Sequence, residues 1–141
     1  MIRNKAVGSM TLVIIALAGM RVHAAEQTAS EQTASELYGQ GVHAYFGGDY
    51  DTAIASLSAS IQKNGGDPRA HYFRGLALAS RNGLDVGLAD LAKGADVEMN
   101  RVDERLYDVN GALQRVQGAL RMALENQRSA ARLAAAEKKK K

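Results

Sequence analysis

The chain has 141 residues, a length that suits a single domain, and it contains no cysteine. Without cysteine it has neither a disulfide framework nor thiolate chemistry, so its stability must come from apolar burial. Two Phe, five Tyr and no Trp, beside many Ala and Leu, favour closely packed helices over a sheet.

Residues 1–24 have the pattern of a secretory signal peptide. Arg3 and Lys5 precede a short apolar stretch, and small residues lead up to Ala24. That stretch is shorter than the roughly 20 residues that span a bilayer. We therefore predict an exported protein, periplasmic or secreted, that is cleaved after Ala24. The alternative is an uncleaved N-terminal anchor.

The formal net charge of +3 comes from 18 basic and 15 acidic residues. Cleavage would remove Arg3, Lys5 and Arg21, which brings the basic residues down to the number of acidic ones. Because a nucleic-acid reader carries its positive charge on the folded face, we expect no nucleic acid as a partner. The basic end is either a solvated terminus or a weak contact for an anionic surface: Lys138, Lys139, Lys140 and Lys141.

Residues 25–35 repeat Glu-Gln-Thr-Ala-Ser without apolar periodicity, which predicts a flexible linker. Residues 37–46 then form a predicted helix, residues 47–50 a turn and residues 51–61 a second helix. Asn64, Gly65 and Gly66 are predicted to end it in the left-handed conformation. Asp67 and Pro68 are typical of the start of the next helix, as a cap and a first-turn proline.

The same unit then recurs. Gly41 and Gly75 are 34 residues apart, as are Tyr38 and Tyr72. Thirty-four residues is the period of the tetratricopeptide repeat, and Tyr38-x-x-Gly41 followed by Gly48-Asp49-Tyr50 closely resembles that family's motif. We therefore predict an all-α fold with two tetratricopeptide-like antiparallel helix hairpins over residues 36–100.

The resemblance implies which residues pack the repeats. Small residues lie where the two helices of a hairpin cross, and an aromatic residue fills the space between hairpins. Gly87 and Gly94 depart from the family's usual Ala, at about 1 kcal/mol of helix stability each, so we expect the second repeat to be the looser one. The predicted packing residues are Gly41, Ala53, Tyr50, Gly75 and Gly87.

After Asn100 the repeat fades, although apolar residues continue at helical spacing from Val109 to Leu124. A repeat array exposes the apolar face of its last unit, so residues 101–133 are predicted to form a helical cap, with a break at Gly118. The chain becomes Ala-rich from Arg128, which predicts fraying, and residues 134–141 are predicted to be a disordered basic tail.

In the tetratricopeptide family the first helices of successive hairpins line a groove that binds a peptide. The resemblance therefore implies an aromatic, apolar groove for a protein or peptide partner. The alternative is that the N-terminal linker or the C-terminal helix covers these residues as core. The predicted groove residues are Tyr38, Val42, Tyr45, Arg69, Tyr72 and Leu76, with Ser80 as a possible extension.

No constellation of polar residues predicts catalysis. His43 and His71 lack further ligands at zinc spacing, and no nucleotide-binding or hydrolase motif occurs. We therefore expect a binding module or scaffold that is not an enzyme and carries no cofactor or metal. The alternative is a structural envelope protein that oligomerises through its terminal repeat.

Overall fold

A computed structural model describes residues 32–101 and 105–140. Residues 1–31, and with them the predicted signal peptide, its cleavage after Ala24 and most of the linker, lie outside the described residues. The described part forms six α-helices and no strand, which confirms the all-α fold of helical hairpins. These are α1 (Ala34–Phe46), α2 (Tyr50–Lys63), α3 (Pro68–Asn82), α4 (Leu84–Asn100), α5 (Val109–Leu113) and α6 (Gly118–Lys138).

The first hairpin pairs α1 with α2. Helix α1 begins with a capping box, in which the Glu36 amide donates to the Thr33 hydroxyl and the Thr33 amide donates to the Glu36 carboxylate. The linker was predicted to extend to residue 35. This boundary is too late in the chain, because Ala34 already belongs to α1. Gly41 is buried at the crossing, and a methyl group there would lie 2.5 Å from Leu57 Cγ.

The turn between the hairpins differs from its prediction. Asn64 has φ −148°, and the positive φ values in the described part fall on Gly48, Gly83 and Gly118. Asn64 instead ends α2 with its side chain, whose oxygen accepts from the Gly66 amide at 3.0 Å. The predicted start of α3 is confirmed, since Asp67 accepts from the backbone of the second helical residue and Pro68 occupies the first position.

The second hairpin, α3 with α4, has the closer backbone contact. A methyl group on Gly75 would lie 2.9 Å from the Gly87 carbonyl oxygen, and one on Gly87 would collide with the Gly75 carbonyl. Gly94 likewise leaves room for the Tyr72 ring, 2.7 Å from where its methyl group would stand. The glycines that predicted a looser repeat are thus the residues that allow its closest packing.

The aromatic residue between the hairpins is Phe73. Its ring lies 6.1 Å from Tyr38, 5.6 Å from Tyr45 and 5.8 Å from Phe46, each in edge-to-face geometry. Tyr50, predicted for this position, contacts Tyr45 of its own hairpin at 6.0 Å. Ala53 is fully buried in the core, as its predicted packing role requires.

Helix α6 packs against α4 and covers the end of the second hairpin. The predicted break at Gly118 is confirmed, since α6 starts there with φ +69°. Two predictions about its end are wrong: α6 continues to Lys138, and Arg128 is buried. Alanine is the strongest helix former, so the Ala-rich run extends the helix and does not fray. Within the described ranges, no helix is long and apolar enough to cross a membrane.

Candidate functional site

The predicted groove residues divide into two groups. Tyr38, Val42 and Tyr45 of α1 are half-buried and pack against the core. Tyr72 and Leu76 of α3 are 0 % exposed. The prediction that Tyr72 and Leu76 line an open groove is therefore wrong, because other parts of the chain cover them.

Tyr72 is turned towards α4 and α6. Its hydroxyl donates to Glu98 Oε2 at 2.6 Å, and its ring lies against Gly94. Burial raises the pKa of the Tyr72 phenol far above its usual value, and the adjacent Glu98 carboxylate raises it further. Tyr72 is thus a neutral hydrogen-bond donor inside the core.

Glu98 accepts a second set of hydrogen bonds from Arg128 of α6. The Arg128 guanidinium donates to both carboxylate oxygens, at 2.9 and 2.7 Å. Burial alone would raise the pKa of Glu98, but the hydrogen bonds from Arg128 and Tyr72 outweigh it and leave the pKa lowered. This buried ion pair joins α3, α4 and α6.

Arg69 lies at the start of α3. Its guanidinium is held by Asp67, which accepts from Nε at 3.0 Å and from a terminal nitrogen at 2.8 Å. The same guanidinium lies between two tyrosine rings, 4.5 Å from the Tyr38 centroid and 4.8 Å from the Tyr107 centroid. Tyr107 comes from the chain between α4 and α6, so this part of the chain reaches α1 and α3.

We name residues 105–117 the internal segment, and the side of α1 and α3 that carries Tyr38, Phe46 and Arg69 the α1–α3 face. At one end of the face, the Asn64 amide donates to the Tyr107 hydroxyl at 2.7 Å. At the other end, the Arg115 guanidinium lies 4.0 Å from the Phe46 ring centroid. The internal segment therefore runs from the start of α3 to the end of α1.

Three apolar side chains of the internal segment are buried. Val109, Leu113 and Val116 are spaced i, i+4 and i+7, and all three belong to the main core, with Leu113 fully enclosed. The short helix α5 that carries the first two contacts α3. Val109 and Leu113 share one side of α5, and Val116, which follows the end of α5, is turned to the same core.

Helix α6 holds the main chain and a side chain of the same segment. Arg121 donates to the Leu113 carbonyl oxygen at 2.6 Å, and Arg128 donates to the Asn110 side-chain oxygen at 3.1 Å. The face is thus filled by the chain itself. A C-terminal covering was one of the two predicted alternatives, but the internal segment was assigned to the cap and not to the face.

Tyr45 and Ser80 lie at the end of α1 and α3. Burial raises the pKa of the Tyr45 phenol, although the nearby Ser80 side chain lowers it. Ser80 was the possible extension of the groove, and it is half-buried beside Tyr45.

The described residues contain no group of three or more His, Asp or Glu side chains placed to hold a metal ion. His71 is buried with Nε2 3.1 Å from the Gly65 carbonyl oxygen, so it packs at the turn between α2 and α3. His43 is exposed on α1.

No protein-family model matches the chain, and no solved structure matches it significantly.

Proposed function

We propose that this chain is an exported, tetratricopeptide-like protein that binds a segment of a partner protein on its α1–α3 face. One observation supports this proposal above the others: a polypeptide segment already lies on that face. It is held there by buried apolar side chains, ring–guanidinium contacts and a hydrogen bond to its main chain. A surface that binds a segment of its own chain in this way has the chemistry to bind a segment of another protein.

The repeat architecture adds support. The 34-residue spacing puts Gly41 and Gly75 at the two closest helix crossings, where the tetratricopeptide resemblance expects small residues. Export stays a prediction from residues 1–24. A basic contact with an anionic surface through lysines 138–141 likewise stays a prediction.

The proposed role is non-catalytic, without a cofactor. Charged side chains form pairs both at the α1–α3 face, as in Arg69 with Asp67, and between α4 and α6, as in Arg128 with Glu98. Such pairs hold helices and position rings, which suits a binding surface.

Site-specific photo-crosslinking in the producing cells tests the proposal. The photoreactive p-benzoylphenylalanine replaces Phe46 on the face or, as a matched control, Met122 on the outer side of α6. We expect position 46 to crosslink to a foreign protein and position 122 not to. Foreign adducts from position 122 alone would contradict binding on the α1–α3 face.

A second candidate function is self-association through α6. Met122 and Leu133 are 69 % and 68 % exposed, and their separation of eleven residues is about three helical turns, which puts them on one side of α6. Sedimentation of the mature chain tests it at tens of micromolar. A dimer that becomes monomeric in the Met122→Glu, Leu133→Glu variant would support this candidate, whereas a monomeric parent chain would exclude it.

A further inference from the structure

The side chains of the α1–α3 face are held in place by their own neighbours, whereas the internal segment has little structure of its own. We propose that the internal segment is an intramolecular ligand that closes the face, and that the partner displaces it with a short segment of the same pattern. That pattern has apolar side chains at i, i+4 and i+7, a tyrosine two residues before the first and an arginine just before the last. The inference rests on the proposed function and specifies its partner and its regulation.

The receptor side of the contact is held without the internal segment. Arg69 is fixed by Asp67 two residues away, so its position does not depend on Tyr107. The Phe46 ring packs against Tyr45 and Phe73, so it does not depend on Arg115. Side chains positioned in advance in this way are characteristic of a binding site, because they need little ordering when a ligand arrives.

The contacts from α6 are also held in advance. Arg121 pairs with Glu125 at 3.0 Å, and Arg128 is fixed by the buried Glu98 carboxylate. The Arg121–Glu125 pair lies within α6, whereas the Arg128–Glu98 pair keeps α6 on α4 by a contact that does not involve the internal segment. Release of the internal segment therefore does not require release of α6.

The ligand side has little structure of its own. Helix α5 has five residues, far below the roughly 12–15 that an isolated helix needs to be stable in water. Asn110 and Gly111 in its middle are poor helix formers. A partner segment with the same contacting side chains that is already ordered before binding would make the same contacts at a lower ordering cost.

The contacts also define what the partner must carry. Leu113 is bound through its carbonyl oxygen and its buried side chain, which any leucine at that position supplies. Tyr107 supplies a ring to Arg69 and a hydroxyl oxygen to Asn64, and Arg115 supplies a cation to the Phe46 ring. The partner is therefore recognised by a tyrosine, two apolar side chains, an arginine and a third apolar side chain, in that order.

A synthetic peptide with the sequence of residues 105–117, labelled with a fluorophore, provides the probe. Its binding is measured by fluorescence anisotropy with the full mature chain and with a Leu113→Asp variant, in which a buried charge expels the internal segment. We expect the variant to bind the peptide at least tenfold more tightly than the parent chain. Arg69→Ala in the opened variant should remove most of that gain, whereas Arg132→Ala, on the exposed side of α6, should leave it unchanged.

Folding of the variants is checked by circular dichroism, and Val116→Asp replaces Leu113→Asp if the latter does not fold. The parent chain gives an independent readout: an excess of the peptide of residues 105–117 should speed hydrogen exchange of residues 109–114 and leave α6 unchanged. Absence of binding to a folded, opened variant, together with unchanged exchange, would overturn the proposal.

Two further outcomes separate this inference from the proposed function. Foreign crosslinks from position 46 with a peptide that does not bind would leave the function standing and refute the internal ligand. Peptide binding without foreign crosslinks would support the internal ligand and refute the proposed function. A parent chain that dimerises by exchanging internal segments would replace the foreign partner with a second copy and so contradict the proposal.

Discussion

Tyr38 and Tyr72 occupy equivalent positions in the two hairpins, 34 residues apart, yet their surroundings differ. Tyr38 is half-buried beneath the Arg69 guanidinium, and burial raises the pKa of its phenol to about 12. Tyr72 is fully enclosed and donates to Glu98. Helix α1 packs against α2 and α3, whereas α3 contacts α1, α2, α4, α5 and α6.

Tyr38 and Tyr72 show that the position of a residue in the repeat and its exposure to solvent have different origins. The repeat fixes which residues of a helix point in the same direction. Their exposure depends on what packs next to that helix, and the neighbours of α3 include α5 and α6, which lie outside the repeat. The following predictions test this difference between α1 and α3, from the largest expected effect to the smallest.

Arg128→Met should have the largest effect on stability. It leaves Glu98 buried without its partner, which costs about 3–5 kcal/mol of the free energy of unfolding. Urea denaturation measures the loss, and Arg132→Met on the exposed side of α6 serves as the control with little expected change. A loss below about 1 kcal/mol would show that the pair does not hold α6 in place.

Gly87→Ala should rank next, at about 2–3 kcal/mol, because its methyl group meets the backbone of Gly75, which cannot give way. Gly41→Ala in the first hairpin meets side-chain atoms of the buried Leu57 and should cost less, because a side chain shifts more readily than backbone. Gly39→Ala has no neighbour within 4 Å and should stabilise α1 by up to about 1 kcal/mol. Thermal or urea unfolding measures the change in the free energy of unfolding for each of the three variants. Equal losses of stability in Gly87→Ala and Gly41→Ala would refute the difference between the two helix crossings.

Tyr72→Phe should cost about 1.5–2 kcal/mol, because it removes a hydrogen bond to a buried carboxylate. Tyr38→Phe should cost far less, since the contact of its ring with Arg69 does not need the hydroxyl. The two variants differ by one oxygen atom each and occupy equivalent positions. Similar stabilities would contradict the different surroundings of the two tyrosines.

Glu98 should also contribute to the pH dependence of the free energy of unfolding, and this effect should be smaller than those of the substitutions. Its pKa is lowered in the folded chain, so the stability that it contributes is present above its unfolded pKa of about 4.3 and is lost as pH falls through the folded pKa. Urea midpoints between pH 7 and 3 should therefore fall less steeply in Glu98→Gln than in the parent chain. An unchanged slope would show that Glu98 titrates normally.

The hairpins could be predicted from the sequence because their signals are local. Gly41 and Gly75 mark crossings at a fixed spacing, and Asp67 with Pro68 marks a helix start. These residues act on neighbours within one repeat. The positions of the helix hairpins can therefore be predicted from the order of the residues alone.

The contact of the internal segment with the α1–α3 face could not be predicted in the same way. Val109, Leu113 and Val116 show apolar spacing, but that spacing fits any apolar surface and does not say which one. The Arg128–Glu98 pair joins residues 30 apart in the chain, and nothing in either neighbourhood marks it. The Ala-rich end was misread because alanine suits both a fraying end and a stable helix.

The central claim is that the internal segment lies on the α1–α3 face, and nuclear Overhauser effects in the isotopically labelled mature chain test it most directly. The account predicts cross-peaks between the Tyr107 ring and the Arg69 side chain, and between the Phe46 ring and the Arg115 side chain. A folded chain that gives the Tyr38–Phe73 ring contacts but neither of these two sets of cross-peaks would contradict it.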